Sequence, residues 1–105
     1  MSDQPQCYQH LKQHHPQLMN AYESLGEAAR KAGPLDAKSA ALVKLALSIA
    51  GQLEGGSHSA VRKALSAGCT PEECRHVALL AVTTLGFPSM MRARAWIEDV
   101  LSQPA

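Results

Sequence analysis

The sequence predicts an all-α fold, and three observations carry that expectation. Apolar residues recur at intervals of three and four along most of the chain, as on one face of a helix. Alanine, the strongest helix former, is abundant, whereas the large aromatics are confined to Tyr8, Tyr22, Phe87 and Trp96. No alternation of the kind that marks a strand runs beyond a few residues. A chain of 105 residues fits one domain, residues 1–105, with a core large enough to need neither disulfides nor metal.

The elements follow in order. Residues 1–6 are polar and make a loose start. Cys7 to His14 forms a short helix with Tyr8 and Leu11 on one side. His10 and His14 have the spacing of a metal pair, but no further ligand stands nearby, so a solvated terminal helix is the expected reading. Pro16 opens a second helix running to about Ala32, with Leu18, Tyr22, Leu25 and Ala29 on its apolar side. Gly33-Pro34 stops it. Asp36 caps a third helix, Ala37 to Ala50, in which Leu42, Val43, Leu45, Leu47 and Ile49 leave little polar face.

Residues 51–88 are the most informative stretch. A short helix beginning near Glu54 ends at Gly68, which suits a left-handed backbone. Thr70, Pro71 and Glu73 then spell a capping box with Pro at the first helical position. Cys69 and Cys74 occupy the two places of a hydrophobic staple around that cap. The capped helix is apolar from Val77 through Val82 to Leu85, and Gly86-Phe87-Pro88 breaks it. A last helix from Ser89 to Leu101 carries the stripe Met90, Ala93, Ile97, Val100 and Leu101.

Several classes are disfavoured at this level. The net charge is +1 with acids and bases interspersed, so no nucleic-acid footprint is present. There is no apolar run of about 20 residues and no signal-peptide pattern, which predicts a cytoplasmic protein with no membrane partner. Three cysteines do not make an even disulfide framework. No cofactor motif is visible, and none is expected. The third and fifth helices offer more apolar surface than a small domain needs, which predicts that one face of each meets another subunit.

The candidate chemistry lies at Glu54 and His58. Four residues apart, an acid and an imidazole share one helix face. An imidazole is the usual general acid or base near neutral pH, and a carboxylate partner fixes its tautomer. Gly55 and Gly56 leave room beside them. The plainer alternative has His58 bordering the stripe Val61, Ala64 and Leu65. His76, on the capped helix with Glu72 four residues before it, is a third candidate. It either completes a pocket or metal set with Glu54 and His58 or makes an ordinary helix-surface pair. Cys69 and Cys74 read as packing rather than as a redox pair, because Glu72 and Glu73 oppose a thiolate there.

The segments GPLD, LVKLALSIA, HSAVRKALSAGCTPEE and ALLAVTTLGFPSMMRA are similar to those of the carboxymuconolactone decarboxylase / AhpD-type alkylhydroperoxidase superfamily, over residues 33–101. The resemblance implies an AhpD-like domain of about six helices that assembles as a homotrimer or hexamer. It implies an enzyme of the peroxiredoxin or decarboxylase kind acting on a small molecule, or a non-catalytic binding relative. AhpD-type members use a CxxCxxxH motif that would fall at Leu53, Gly56 and Ala60, none of which has the required side chain. The resemblance therefore carries the fold further than it carries the thiol chemistry.

Overall fold

The computed structural model describes residues 5–103, and they form six α-helices. No strand occurs among the described residues. The chain divides into two compact units, residues 1–35 and 36–105.

The first unit holds α1 (Gln6–His14) and α2 (Pro16–Lys31). Pro16 stands at the first position of α2, where its missing N–H costs nothing. Glu23 joins the two helices: Tyr8 donates its hydroxyl to Glu23 Oε2 at 2.9 Å, and Lys12 Nζ lies 3.2 Å from the same oxygen. That phenol and ammonium hold the Glu23 carboxyl below its ordinary range.

The second unit holds α3 (Ala37–Ala50), α4 (Glu54–Ser66), α5 (Pro71–Leu80), a 3-10 turn (Ala81–Thr83) and α6 (Phe87–Leu101). Asp36 caps α3 by accepting the Ser39 N–H at 2.7 Å. The expected box at α5 forms on both sides. Glu73 N–H donates to Thr70 Oγ1 at 3.1 Å, and Thr70 N–H donates to Glu73 Oε1 at 2.8 Å. Gly68 has φ +98° and Gly86 has φ +99°, a conformation that strains any residue with a Cβ. These two glycines end α4 and introduce α6. The apolar run from Val77 does not continue as one α-helix to Leu85; it tightens into the 3-10 turn after Leu80. The last helix begins at Phe87, two residues before the sequence placed it, because Pro88 is accommodated in its first turn.

The core of this unit is Leu45 and Ile49 of α3, Ala60, Val61 and Ala64 of α4, Cys74 and Ala78 of α5, and Ala93, Ile97 and Val100 of α6. Four alanines among these let the helix backbones approach closely. Leu45, Val61 and Ile97 are fully buried, each contributing about 1.5–3 kcal/mol. The third helix is less enclosed than its composition suggests: Val43 and Leu47 face away from this core, with Leu47 62% exposed.

Arg75 fixes α6 against α5. Its guanidinium donates to both oxygens of Glu98, at 2.6 and 3.3 Å, and to Glu72. These carboxylates hold the Arg75 pKa well above the ordinary value, and Arg75 holds Glu98 below the usual carboxylate range.

Candidate functional site

The site is built on the facing surfaces of α4 and α6. Helix α4 starts at Glu54, early enough to place Glu54 and His58 one turn apart on a single face. A carboxylate in the first turn also suits the positive end of the helix dipole. The turn leading into α4 is unusual. Gln52 has φ +57°, rare for a residue with a side chain, and its Oε1 accepts a 2.9 Å hydrogen bond from Arg92 of α6. That bond ties the start of α4 to the helix carrying the third member of the site.

The third member is Asp99. His58 Nε2 lies 3.0 Å from Asp99 Oδ2, across 41 residues of sequence. An ionised carboxylate can only accept, so Nε2 carries the proton. Neutral His58 is therefore the Nε2–H tautomer, with the lone pair on Nδ1. One ligand-type atom each from Glu54, His58 and Asp99 lies within 4.8 Å of the other two. His58 is three-quarters buried and Asp99 more than half exposed, so the imidazole is held by the fold while the cluster stays open to solvent.

The structure brings Glu54 and His58 together but places His76 elsewhere. His76 is exposed on α5 and lines a groove of about 620 Å³ between α3 and α5. The groove walls are apolar, formed by Leu42, Leu47, Val77, Leu80 and Leu85 among others, and none of Glu54, His58 and Asp99 contributes to it. This groove and the polar cluster thus do not coincide. The groove's polar groups are few, and its Glu73 is engaged in the α5 cap. Glu72, the sequence neighbour proposed for His76, pairs with Arg75 instead. The spacing of His10 and His14 leads to stacking, with ring centroids 4.0 Å apart and His14 Nδ1 donating to the His10 carbonyl at 2.8 Å.

No local sequence signal marks Asp99 as a member of the site. It follows Glu98 on a helix whose apolar stripe was legible, but nothing local says that one of two adjacent acids meets a histidine 41 residues away. Ser57, beside His58, is also unanticipated: its hydroxyl is fully buried and has no hydrogen-bond partner among the described residues.

No cysteine is a member of this cluster. Cys7 is exposed in the first unit. Cys69 and Cys74 are buried, and burial pushes both thiols up from their ordinary pKa. Cys69 Sγ donates to the Lys38 carbonyl at 3.6 Å.

Two comparisons bear on this arrangement. The family model described as the carboxymuconolactone decarboxylase family matches residues 16–99. The chain is also similar to a carboxymuconolactone decarboxylase family protein from Legionella pneumophila, solved in its apo form. The TM-score is 0.77 at 30% identity, over 90% of this chain and 85% of that one. No curated protein is a match.

Proposed function

The chain belongs to the carboxymuconolactone decarboxylase family, and from that premise we propose that it is a proton-transfer enzyme acting on a small carbonyl acid or lactone acid through His58. One observation carries the reading: Asp99 holds His58 Nε2 from a second helix at 3.0 Å, and Nδ1 has no hydrogen-bond partner among the described residues. His58 Nδ1 takes a proton from carbon next to the substrate carbonyl. Asp99 then faces a positively charged ring and stabilises it. The imidazolium returns the proton to the enolate at the same or another carbon. Glu54, one turn away and open to solvent, exchanges the proton with water. His76 has no part in this scheme; its place is the apolar groove.

Thiol-based peroxide reduction draws no support from the cysteines. A peroxidatic thiol needs a stabilised thiolate beside an acid–base partner, whereas the buried thiols of Cys69 and Cys74 are pushed the other way.

The test is hydrogen–deuterium exchange at carbon, followed by NMR in D2O with a panel of 3-oxo acids and unsaturated lactone acids. Wild type exchanges at least one of them faster than buffer, His58→Ala does not, and Asp99→Asn is slowed. Exchange that is indifferent to His58→Ala refutes the proposal. If the panel is inert but a thermal-shift screen finds a bound acid, the non-catalytic alternative is favoured.

The apolar faces of α3 and α5 support self-association. Leu47 and Leu80 are exposed to 62% and 61%, and with Val43, Leu79 and Leu85 they leave a large uncovered apolar surface. We propose that a second copy covers it. Sedimentation as a monomer at micromolar concentration contradicts this, and Leu47→Glu is expected to dissociate the assembly.

A further inference from the structure

We propose that Glu54, His58 and Asp99 bind a divalent transition-metal ion, Zn2+ foremost. The inference uses the side chains of the proton-transfer reading but not the reaction, so either can fail without the other.

The donor set is one imidazole nitrogen and two carboxylate oxygens. It suits a borderline divalent ion better than a hard alkaline-earth ion, which favours oxygen alone. The two carboxylates supply −2, which a divalent ion neutralises without any further basic side chain at the site. For metal–ligand bonds of about 2.0–2.2 Å in tetrahedral geometry, ligand atoms stand about 3.3–3.6 Å apart. His58 Nε2 and Asp99 Oδ2, at 3.0 Å, are close to that already. Glu54 lies within 4.8 Å of both and needs to draw in by no more than about 1.5 Å. It is free to do so: it is exposed and has no hydrogen-bond or ion-pair partner among the described residues.

The backbone supplies the preorganisation that the Glu54 rotamer lacks. Two ligands sit one turn apart on α4, a spacing that points both at one position. The third sits on α6 between buried Ile97 and Val100 and beside Glu98, which Arg75 grips with two hydrogen bonds. On binding, the ion takes the place of the proton shared by His58 Nε2 and Asp99. Three protein ligands leave the fourth position to water or to a substrate oxygen, the pattern of open rather than structural zinc sites.

The experiment is isothermal titration of the full chain with ZnCl2, combined with long-range 1H–15N spectra of the histidine rings. A background carrying Cys7→Ser, His10→Ala and His14→Ala removes the exposed thiol and imidazoles of α1 as competing ligands. The expected result is one ion per chain in that background and a large change in the His58 Nε2 signal. Glu54→Gln and Asp99→Asn each weaken binding by about tenfold or more, and His58→Ala weakens it at least as much. Circular dichroism confirms that the variants are folded, and Glu54→Gln, on an exposed first-turn residue, keeps the test decisive if the others are not. No binding at millimolar Zn2+, or binding indifferent to Glu54→Gln, overturns the proposal. Zinc binding without carbon-proton exchange leaves it standing and removes the proton-transfer reading; exchange without zinc binding does the reverse.

Discussion

Glu98 and Asp99 are neighbours on α6, yet they serve different helices. Glu98 is gripped by Arg75 of α5 through two hydrogen bonds, while Asp99 reaches His58 of α4 at 3.0 Å. Consecutive residues on a helix diverge by about 100°. A helix lying between two others can therefore use adjacent acids to reach both. The bidentate contact sets the rotation of α6, and that rotation aims Asp99 at the imidazole. Glu98→Gln is thus expected to lower the melting temperature more than Glu72→Gln, whose partner interaction is at the surface. It is also expected to weaken the His58–Asp99 pair. Equal melting temperatures for the two variants would contradict this role.

Acid should unfold the protein from one side only. Asp36, Glu73 and Glu98 have carboxyl pKa values below the ordinary range, held there by the Ser39 N–H, the Thr70 N–H and Arg75 respectively. A depressed folded-state pKa means that the unfolded chain takes up protons first as pH falls. The stabilisation is complete above the ordinary carboxylate range and is lost below about pH 4. Melting temperatures recorded from pH 7 down to pH 3 should be flat and then fall. Glu98→Gln should make that fall shallower.

Thr70→Ala removes half of the α5 capping box and should cost about 1 kcal/mol, with Thr70→Ser retaining most of the stability. Urea midpoints measure both. Gly68→Ala forces a Cβ into φ +98° and should cost about 1–2 kcal/mol although its surroundings are open. An unchanged midpoint in either variant would mean that the turn between α4 and α5 is not held as described.

The three thiols should separate in labelling. Cys7 is exposed and should react quickly with a thiol reagent at neutral pH. Cys69 and Cys74 are buried with thiols pushed up in pKa, so they should react only after denaturant is added. Rapid labelling of Cys74 in the folded protein would reopen thiol chemistry at this cap.

Much of this fold is legible in the sequence because its signals are local. Asp36 and Thr70 cap helices through bonds to residues three positions away, and Gly68 and Gly86 mark backbone turns that few other residues tolerate. The buried stripe of α6 follows from its spacing alone. Two of the three residues of the candidate site share that character, since Glu54 and His58 are one turn apart. The third does not. Asp99 joins through packing of α4 on α6, which no spacing rule encodes. His76, by contrast, has the right chemistry and a plausible spacing, but α5 turns it toward the α3 groove. The break after Leu80 was also hidden, because Ala81 to Thr83 carries no glycine or proline to mark it.

The central claim is that Asp99 fixes His58 as the Nε2–H tautomer with Nδ1 free. Long-range 1H–15N spectra of the neutral ring, in wild type and in Asp99→Asn, measure this directly. The account predicts a protonated Nε2 and an unprotonated Nδ1 in the metal-free wild type, with a detectable change in tautomer population or ring shifts in the variant. A wild-type ring protonated mainly at Nδ1, or spectra that Asp99→Asn leaves unchanged, would contradict it.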